Sequence, residues 1–162
     1  MPDRRRRVFG IDPGSRATGF GIVDDTDRGL VYVASGCVRP RGATFIERLG
    51  EIWHGVSELI QEYRPDEVAV EEVFLANNPA SALKLGQARG VAVAAAVAAH
   101  APVAEYAARR VKLAVVGSGR ASKEQVQHMV RVLLRLPGAP AADAADALAI
   151  AICHVNSTGR GA

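Results

Sequence analysis

An aspartate that ends a short apolar run is the feature of this sequence that most limits what the chain can fold into. Residues 8–11 read Val-Phe-Gly-Ile, Asp12 follows them, and a Pro-Gly pair comes directly after it. The run is typical of a buried strand, and a carboxylate placed there is costly unless a charged partner compensates it, most commonly a bound cation. Asp12 therefore predicts a site at the end of this strand and directs the search to other acids in apolar sequence.

Two further segments place acids inside apolar sequence. Glu71 lies in residues 68–73, a run rich in β-branched residues, and Asp143 and Asp146 lie in the alanine-rich residues 141–148. A strand-end or helix-cap role explains one such acid readily, but three independent placements favour a shared site. Asp143 and Asp146 are three residues apart, so both project from one face of a helix, in first turns that tolerate negative charge.

A cluster of four carboxylates predicts hard divalent metal ions. Without cations the mutual repulsion of these groups would raise their pKa values, and all-oxygen ligation selects Mg²⁺, with Mn²⁺ able to substitute. Two such ions would clamp the attacking water and the leaving oxygen of a phosphodiester, so the expected reaction is phosphodiester hydrolysis. Glu72 directly follows Glu71 and faces the opposite side of a strand, where we expect a structural or exposed role.

The length and composition indicate one domain. The 162 residues can bury a core without disulfides. Cys37 and Cys153 form no CxxC motif, so we expect reduced, partly buried thiols. No apolar run reaches membrane-spanning or signal-peptide length, so a cytoplasmic protein without membrane contact is expected. We divide the chain into a basic leader (residues 1–7), a central domain (8–155) and a frayed tail (156–162).

The apolar pattern predicts an α/β fold with a mixed five-stranded sheet flanked by helices. Three strands with short connections form an antiparallel meander, and two more strands alternate with helices. The predicted strands are 8–11, 18–23, 30–34, 68–73 and 103–106. The four predicted helices are 44–63, 80–100, one that opens at the capping box Ser122-Lys123-Glu124-Gln125, and 141–154.

The helix predicted at residues 80–100 is rich in small residues, Ala92 and Ala95 among them. Small side chains let a second helix backbone approach closely, so we expect a tight helix-helix seam on this face and a dimer through it. A plain surface helix of high helix propensity is the alternative.

Six segments match the motifs of a known family. The opening motif is Gly-Ile-Asp-Pro-Gly-Ser-Arg at residues 10–16, with Thr18-Gly19, and the second acidic strand is Ala-Val-Glu-Glu-Val-Phe at 69–74. The central helix is Ser-Ala-Leu-Lys-Leu-Gly-Gln-Ala-Arg-Gly at 81–90, and the remaining matches lie at 105–109, 126–130 and 142–149. Over about residues 8–154 the chain thus resembles the RuvC family of Holliday-junction resolvases, which have a ribonuclease H-like fold.

The resemblance implies a structure-selective endonuclease that resolves Holliday junctions by symmetric paired cleavage in homologous recombination and DNA repair. Asp12, Glu71, Asp143 and Asp146 match the family's catalytic, Mg²⁺-binding carboxylates. Lys112 and Lys123 match basic positions that engage the DNA backbone, and Phe74 matches an aromatic residue that stacks on a base near the crossover. The resemblance also implies a homodimer and cooperation with the RuvA and RuvB branch-migration proteins. The chain departs from the family at its basic leader and short C-terminal end.

Other functions also agree with parts of the sequence. The grouped arginines and lysines and a sequence pI near 9.2 favour a polyanionic partner, although solvated surface charge explains such groups as well. A sugar-kinase or actin-like phosphotransferase also carries an Asp before a glycine-bearing turn, but this single domain lacks a second nucleotide-binding half. A module that binds four-way junctions without cutting them is the non-enzymatic alternative. The presence of all four carboxylates favours the nuclease.

Overall fold

The alternating apolar runs form a five-stranded sheet in the computed structural model, which describes residues 4–73 and 78–159. Its strands are β1 (Arg6–Asp12), β2 (Thr18–Thr26), β3 (Gly29–Val38), β4 (Glu67–Glu71) and β5 (Val103–Tyr106). They lie in the order β3-β2-β1-β4-β5. β2 pairs antiparallel with β1 and β3, whereas β4 pairs parallel with β1 and β5. The predicted mixed sheet is confirmed.

Within the described residues the chain forms five helices: α1 (Phe45–Tyr63), α2 (Pro79–Ala98), α3 (Ala108–Val116), α4 (Lys123–Leu133) and α5 (Ala142–Thr158). Side-chain caps begin three of them. Thr44 and Ser122 form capping boxes at α1 and α4, and the Asn78 side chain accepts hydrogen bonds from two amides of α2. These caps satisfy amide groups that have no partner inside a helix. None of the described helices is long and apolar enough to cross a membrane.

The helices cover both faces of the sheet because strand side chains alternate between the faces. α1 and α2 pack on the face that carries Phe9 and Ile11, and together they close one hydrophobic core. α3, α4 and α5 pack on the opposite face, where Val8 and Ala69 lie in a second core. α5 is the innermost of these helices, and its residues from Ala147 to Cys153 are almost fully buried.

One helix was not predicted, and several element boundaries differ from the sequence predictions. α3 was not predicted, because it is a nine-residue helix whose N-cap, Ala107, offers no side-chain hydrogen bond. β4 ends at Glu71 rather than residue 73, and α5 continues through Thr158, so the first part of the predicted frayed tail is helical. The last two residues of the predicted leader, Arg6 and Arg7, belong to β1 and form ion pairs with acids of β2.

The small-residue face of α2 packs inside its own chain. Ala88, Ala92, Ala95 and Ala96 are buried in the core that also holds Ile52 and the other apolar residues of α1. The tight helix-helix seam predicted from the sequence therefore exists, but Ala92 and Ala95 form it with α1. The prediction that Ala92 or Ala95 faces a partner subunit was wrong, since alanine spacing identifies a close contact without identifying the element on its other side.

Candidate active site

Strand periodicity turns Asp12 and Glu71 toward the same helix. In β1, Val8 lies in the core beneath α5, and Asp12, four residues later, projects from the same face. In β4, Ala69 lies in that core, so Glu71 also projects toward α5. β1 and β4 are adjacent parallel strands, and both carboxylates lie at their carboxyl ends. The sheet thus brings together two acids separated by almost sixty residues of sequence.

Two glycines let α5 approach this edge of the sheet. A Cβ at Gly19 of β2 would overlap the backbone carbonyl of Asp143, and a Cβ at Gly10 of β1 would overlap the carbonyl of Ala147. Any larger residue would hold the helix away from the strands. Because Gly10 and Gly19 have no side chain, the first turns of α5, with Asp143 and Asp146, lie directly beside the end of β1.

A cleft of about 290 Å³ opens at this position. Its polar lining comes from Asp12, Glu71 and Asp146 together with Lys112 of α3 and Lys123 of α4, and apolar residues of α3, α4 and α5 form the rest of its wall. Three predicted carboxylates and both predicted lysines thus share one cleft. A cleft with this lining can accept a polyanionic ligand whose negative groups contact the two lysines.

Asp143 lies beside the cleft, one helical turn before Asp146 on α5. The thiol Sγ of Cys37, on β3, lies 3.8 Å from Oδ2 of Asp143 and is positioned to donate a weak hydrogen bond to it. Burial, with the charge of Asp143, raises the pKa of this thiol, so it stays protonated at neutral pH. Cys37 is half-buried and Cys153 is buried, both as free thiols, as predicted.

Burial and mutual repulsion raise the pKa values of three carboxyl groups. Burial is the largest cause for Asp12, whose pKa rises to about 7, and the charges of Asp146, Glu71 and Asp143 add to it. Burial is also the largest cause for Glu71 and Asp146, whose pKa values are raised. Lys123 opposes the shift at all three groups. The cluster is therefore electrostatically strained, and a bound cation would relieve the strain.

The donor set fits a hard divalent cation. Asp12, Glu71, Asp143 and Asp146 offer carboxylate oxygens at one edge of the sheet, and the raised pKa values of Asp12, Glu71 and Asp146 indicate negative charge without a matching cation. Among the described residues no group of three or more His, Cys, Asp or Glu side chains is already gathered closely enough to hold a metal ion. A bound ion would thus require these side chains to draw together.

Other predicted residues have different outcomes. Glu72 is exposed at the end of β4, as expected for an acid that faces away from the cluster. Phe74 lies outside the described residues, so its stacking role stays a prediction. Two neighbours of the carboxylates were not predicted: the Cys37 thiol lies beside Asp143, and Arg89 Nε donates a hydrogen bond to the backbone carbonyl of Glu71. No local signal identifies either contact, because each joins elements that are distant in sequence.

Comparisons with known proteins point to one family. The family model described as crossover junction endodeoxyribonuclease RuvC matches residues 8–154. The chain is 57% identical over 150 residues to the crossover junction endodeoxyribonuclease RuvC of Shewanella sp. strain ANA-3, and the match covers 93% of this chain and 87% of that relative. The corresponding protein of Shewanella oneidensis is 56% identical over the same shares of the two chains.

Solved structures agree with this result. The structure of Thermus thermophilus RuvC is 38% identical, with a TM-score of 0.85 over 94% of this chain and 95% of that chain. T. thermophilus RuvC in complex with a Holliday junction substrate gives a TM-score of 0.88 over 94% of each chain. The yeast mitochondrial Holliday junction resolvase Ydc2 shares the fold, with a TM-score of 0.69 at 10% identity over 93% of this chain and 79% of that chain.

Proposed function

This chain belongs to the RuvC family of crossover junction endodeoxyribonucleases, which have a ribonuclease H-like fold, and we propose that it resolves Holliday junctions by Mg²⁺-dependent, symmetric paired cleavage. The observation that carries the proposal is the cleft in which Asp12, Glu71 and Asp146 face Lys112 and Lys123. Carboxylates alone would repel DNA, and lysines alone would bind it without cutting. Their combination in one cleft supports cleavage of a phosphodiester in homologous recombination and DNA repair.

Asp12, Glu71, Asp143 and Asp146 are the residues that would hold Mg²⁺, with Mn²⁺ able to replace it. When bound, a divalent ion of this kind supplies charge neutralisation and activates water for attack on phosphorus. The contribution of the chain is to fix two acids on adjacent strands and two on one helix turn. Because the pKa of Asp12 is about 7 in the folded protein, this group must also lose its proton before it can act as a ligand.

Lys112 and Lys123 would bind the phosphate backbone of the DNA. They lie on α3 and α4 and line the same cleft as Asp12, Glu71 and Asp146. Each ammonium lowers the pKa of Glu71 and Asp146, so the lysines help to keep these acids ionised. We propose that they contact phosphates next to the scissile bond, while Phe74 stacks on a base near the crossover.

Amide variants test the assignment of the carboxylates. Asp12→Asn and Glu71→Gln should abolish cleavage of a synthetic four-way junction, since each variant removes a charged ligand oxygen. Junction binding without metal should be unchanged, because phosphate contacts supply most of the affinity. Glu72→Gln is the matched control, since Glu72 is an exposed acid next to Glu71 and should keep full cleavage. Loss of metal-free binding in the two site variants, measured by gel shift, would contradict the assignment.

Exchange of the metal is a second test. Mg²⁺ and Mn²⁺ should support cleavage, whereas Ca²⁺ should not, since Ca²⁺ takes its oxygen ligands at longer distances and in looser geometry. Equal cleavage rates with Ca²⁺ would contradict the proposed chemistry.

We also propose a homodimer, because a four-way junction offers two equivalent strands and each chain holds one cleft. The outer face of α2 is the candidate interface. Leu83 and Val97 are 70% and 59% exposed there. Among the described residues, and apart from the backbone of α2 itself, no atom lies within 4 Å of the position that a Cβ would take at Gly86 or Gly90. A second α2 helix could therefore approach closely and cover apolar surface. Cooperation with RuvA and RuvB is proposed on the family relationship.

Gly90→Glu tests the interface by placing a charge in the middle of this face. Sedimentation should show a dimer for the unmodified protein and a monomer for Gly90→Glu. Val132→Glu is the control, since Val132 is 51% exposed on a different helix, α4, and should leave the dimer intact. A monomeric unmodified protein, both free and on a junction, would contradict the proposed dimer.

A further inference from the structure

Arg89 joins α2 to the strand end that carries Glu71. Its Nε donates a hydrogen bond to the backbone carbonyl of Glu71 at 3.1 Å, and its NH2 group forms an ion pair with Glu105 of β5. The Arg89 side chain is 19% exposed, whereas that of Glu105 is 52% exposed. Two donors on one edge of the guanidinium, Nε and NH2, thus contact the neighbouring strands β4 and β5 from α2. The planar fork of arginine holds these donors in a fixed geometry, whereas an ammonium is a compact point charge.

The contact with Glu71 fixes a particular peptide group. The carbonyl of Glu71 and the amide of Glu72 belong to the same peptide plane. Arg89 holds its carbonyl end, and the carbonyl of Tyr106 accepts from its amide end at 2.9 Å. β4 ends at Glu71, and the chain leaves the sheet immediately afterwards. Because this peptide plane is held at both ends, the ψ angle of Glu71 is fixed at the point where the strand pairing stops.

From this geometry we propose that Arg89 is a positioning residue for junction cleavage, because it holds the backbone of Glu71 so that the carboxylate stays directed into the cleft. The inference rests on the proposed function of the carboxylate cluster. Arg89 does not line the cleft, so its effect on the reaction passes through Glu71. Without Arg89 only the Tyr106 contact would hold this peptide group, so that contact would open more often and Glu71 would sample directions away from Asp12 and Asp146.

Two variants of Arg89 test this role. Arg89→Ala removes both contacts, and Arg89→Lys keeps a charge for Glu105 but loses the Nε donor to Glu71. With saturating protein, both should slow single-turnover junction cleavage by roughly 10- to 100-fold, the scale of a misplaced catalytic group. Junction affinity without metal should be unchanged. Wild-type cleavage rates in Arg89→Lys would overturn the proposal.

Glu105→Gln is the matched control, because it removes the ion pair and leaves the Nε hydrogen bond to Glu71. It should lower the melting temperature while cleavage stays within about twofold of the unmodified protein. If Arg89 acted only through the ion pair, Glu105→Gln would slow cleavage as much as Arg89→Ala does. That result would overturn the proposal.

Hydrogen exchange gives a reading that needs neither DNA nor metal. In the free protein the Glu72 amide should exchange at least about tenfold faster in Arg89→Lys than in the unmodified chain, and at the unmodified rate in Glu105→Gln. Unchanged exchange at Glu72 in Arg89→Lys would overturn the proposal. This measurement also separates the two ideas: if the unmodified protein did not cut junctions, the proposed function would fail while exchange still reported the hold on Glu71.

Discussion

Replacing Gly19 with alanine tests how the fold places the acids on α5. The new Cβ would stand 2.8 Å from the carbonyl carbon of Asp143, whereas ordinary contact begins at 3.4 Å, so the first turn of α5 must retreat by more than half an ångström. The clash is with backbone atoms, so no side-chain rotation relieves it. Overpacking of this kind costs about 1–3 kcal/mol. A shift of this size at Asp143 and Asp146 is expected to slow cleavage by roughly 10- to 100-fold.

The assay combines chemical denaturation with junction cleavage under saturating protein. Gly50→Ala is the matched control, since Gly50 lies inside α1 and no other described part of the chain comes within 4 Å of its Cβ position. It should stabilise the protein by about 0.5–1 kcal/mol, because alanine favours a helix interior over glycine, and it should leave cleavage unchanged. Wild-type stability and cleavage in Gly19→Ala would refute the idea that a close approach of β2 and α5 sets the site.

Three further predictions concern charge and burial. The folded-state pKa of Asp12, about 7, lies above its ordinary value of 3.8, so metal-free stability should fall as pH rises from about 4 to 7. Asp12→Asn should stabilise the protein at pH 8, by at most about 4 kcal/mol, and have little effect at pH 4. Equal changes in melting temperature at both pH values would contradict this prediction. Lys123→Ala should weaken junction binding and reduce the salt slope by about one unit, and an unchanged slope would place this lysine away from DNA. His154→Phe should lower the free energy of unfolding by about 2–4 kcal/mol, measured by denaturant unfolding. The reason is that buried His154 forms hydrogen bonds with both the Tyr106 hydroxyl, at 2.7 Å, and the Glu67 carboxylate. A loss below about 0.5 kcal/mol would show that these two groups find other hydrogen-bond partners.

The sequence predicted those parts of the fold that local chemistry determines. Alternation in the strands, the capping box of α4, and the acids in three separate apolar segments each have a local physical cause, and the sheet and cleft agree with them. α3 was missed because Ala107 gives no capping signal, and its nine residues are too few to show a clear period.

The remaining parts depend on tertiary contacts that sequence patterns do not encode. The alanines of α2 indicate a close contact but do not identify its partner, and Ala92 and Ala95 turned out to pack against the chain's own core. Arg89 and Cys37 approach the carboxylates across elements that are distant in sequence. The residues next to Arg89 and Cys37 in the sequence give no indication of these contacts. The contact between Arg89 and Glu71 could therefore be identified only in the structure.

The most direct test of the proposed junction cleavage is incubation of the purified protein, in Mg²⁺, with a synthetic four-way junction labelled on two opposite strands. We expect paired incisions at symmetric positions and products that ligase can seal. Asp12→Asn should make no incision but should still bind the junction. Stable binding of the junction without incision in Mg²⁺ or Mn²⁺ would contradict the proposed cleavage and assign the chain to the non-cleaving class of junction-binding modules.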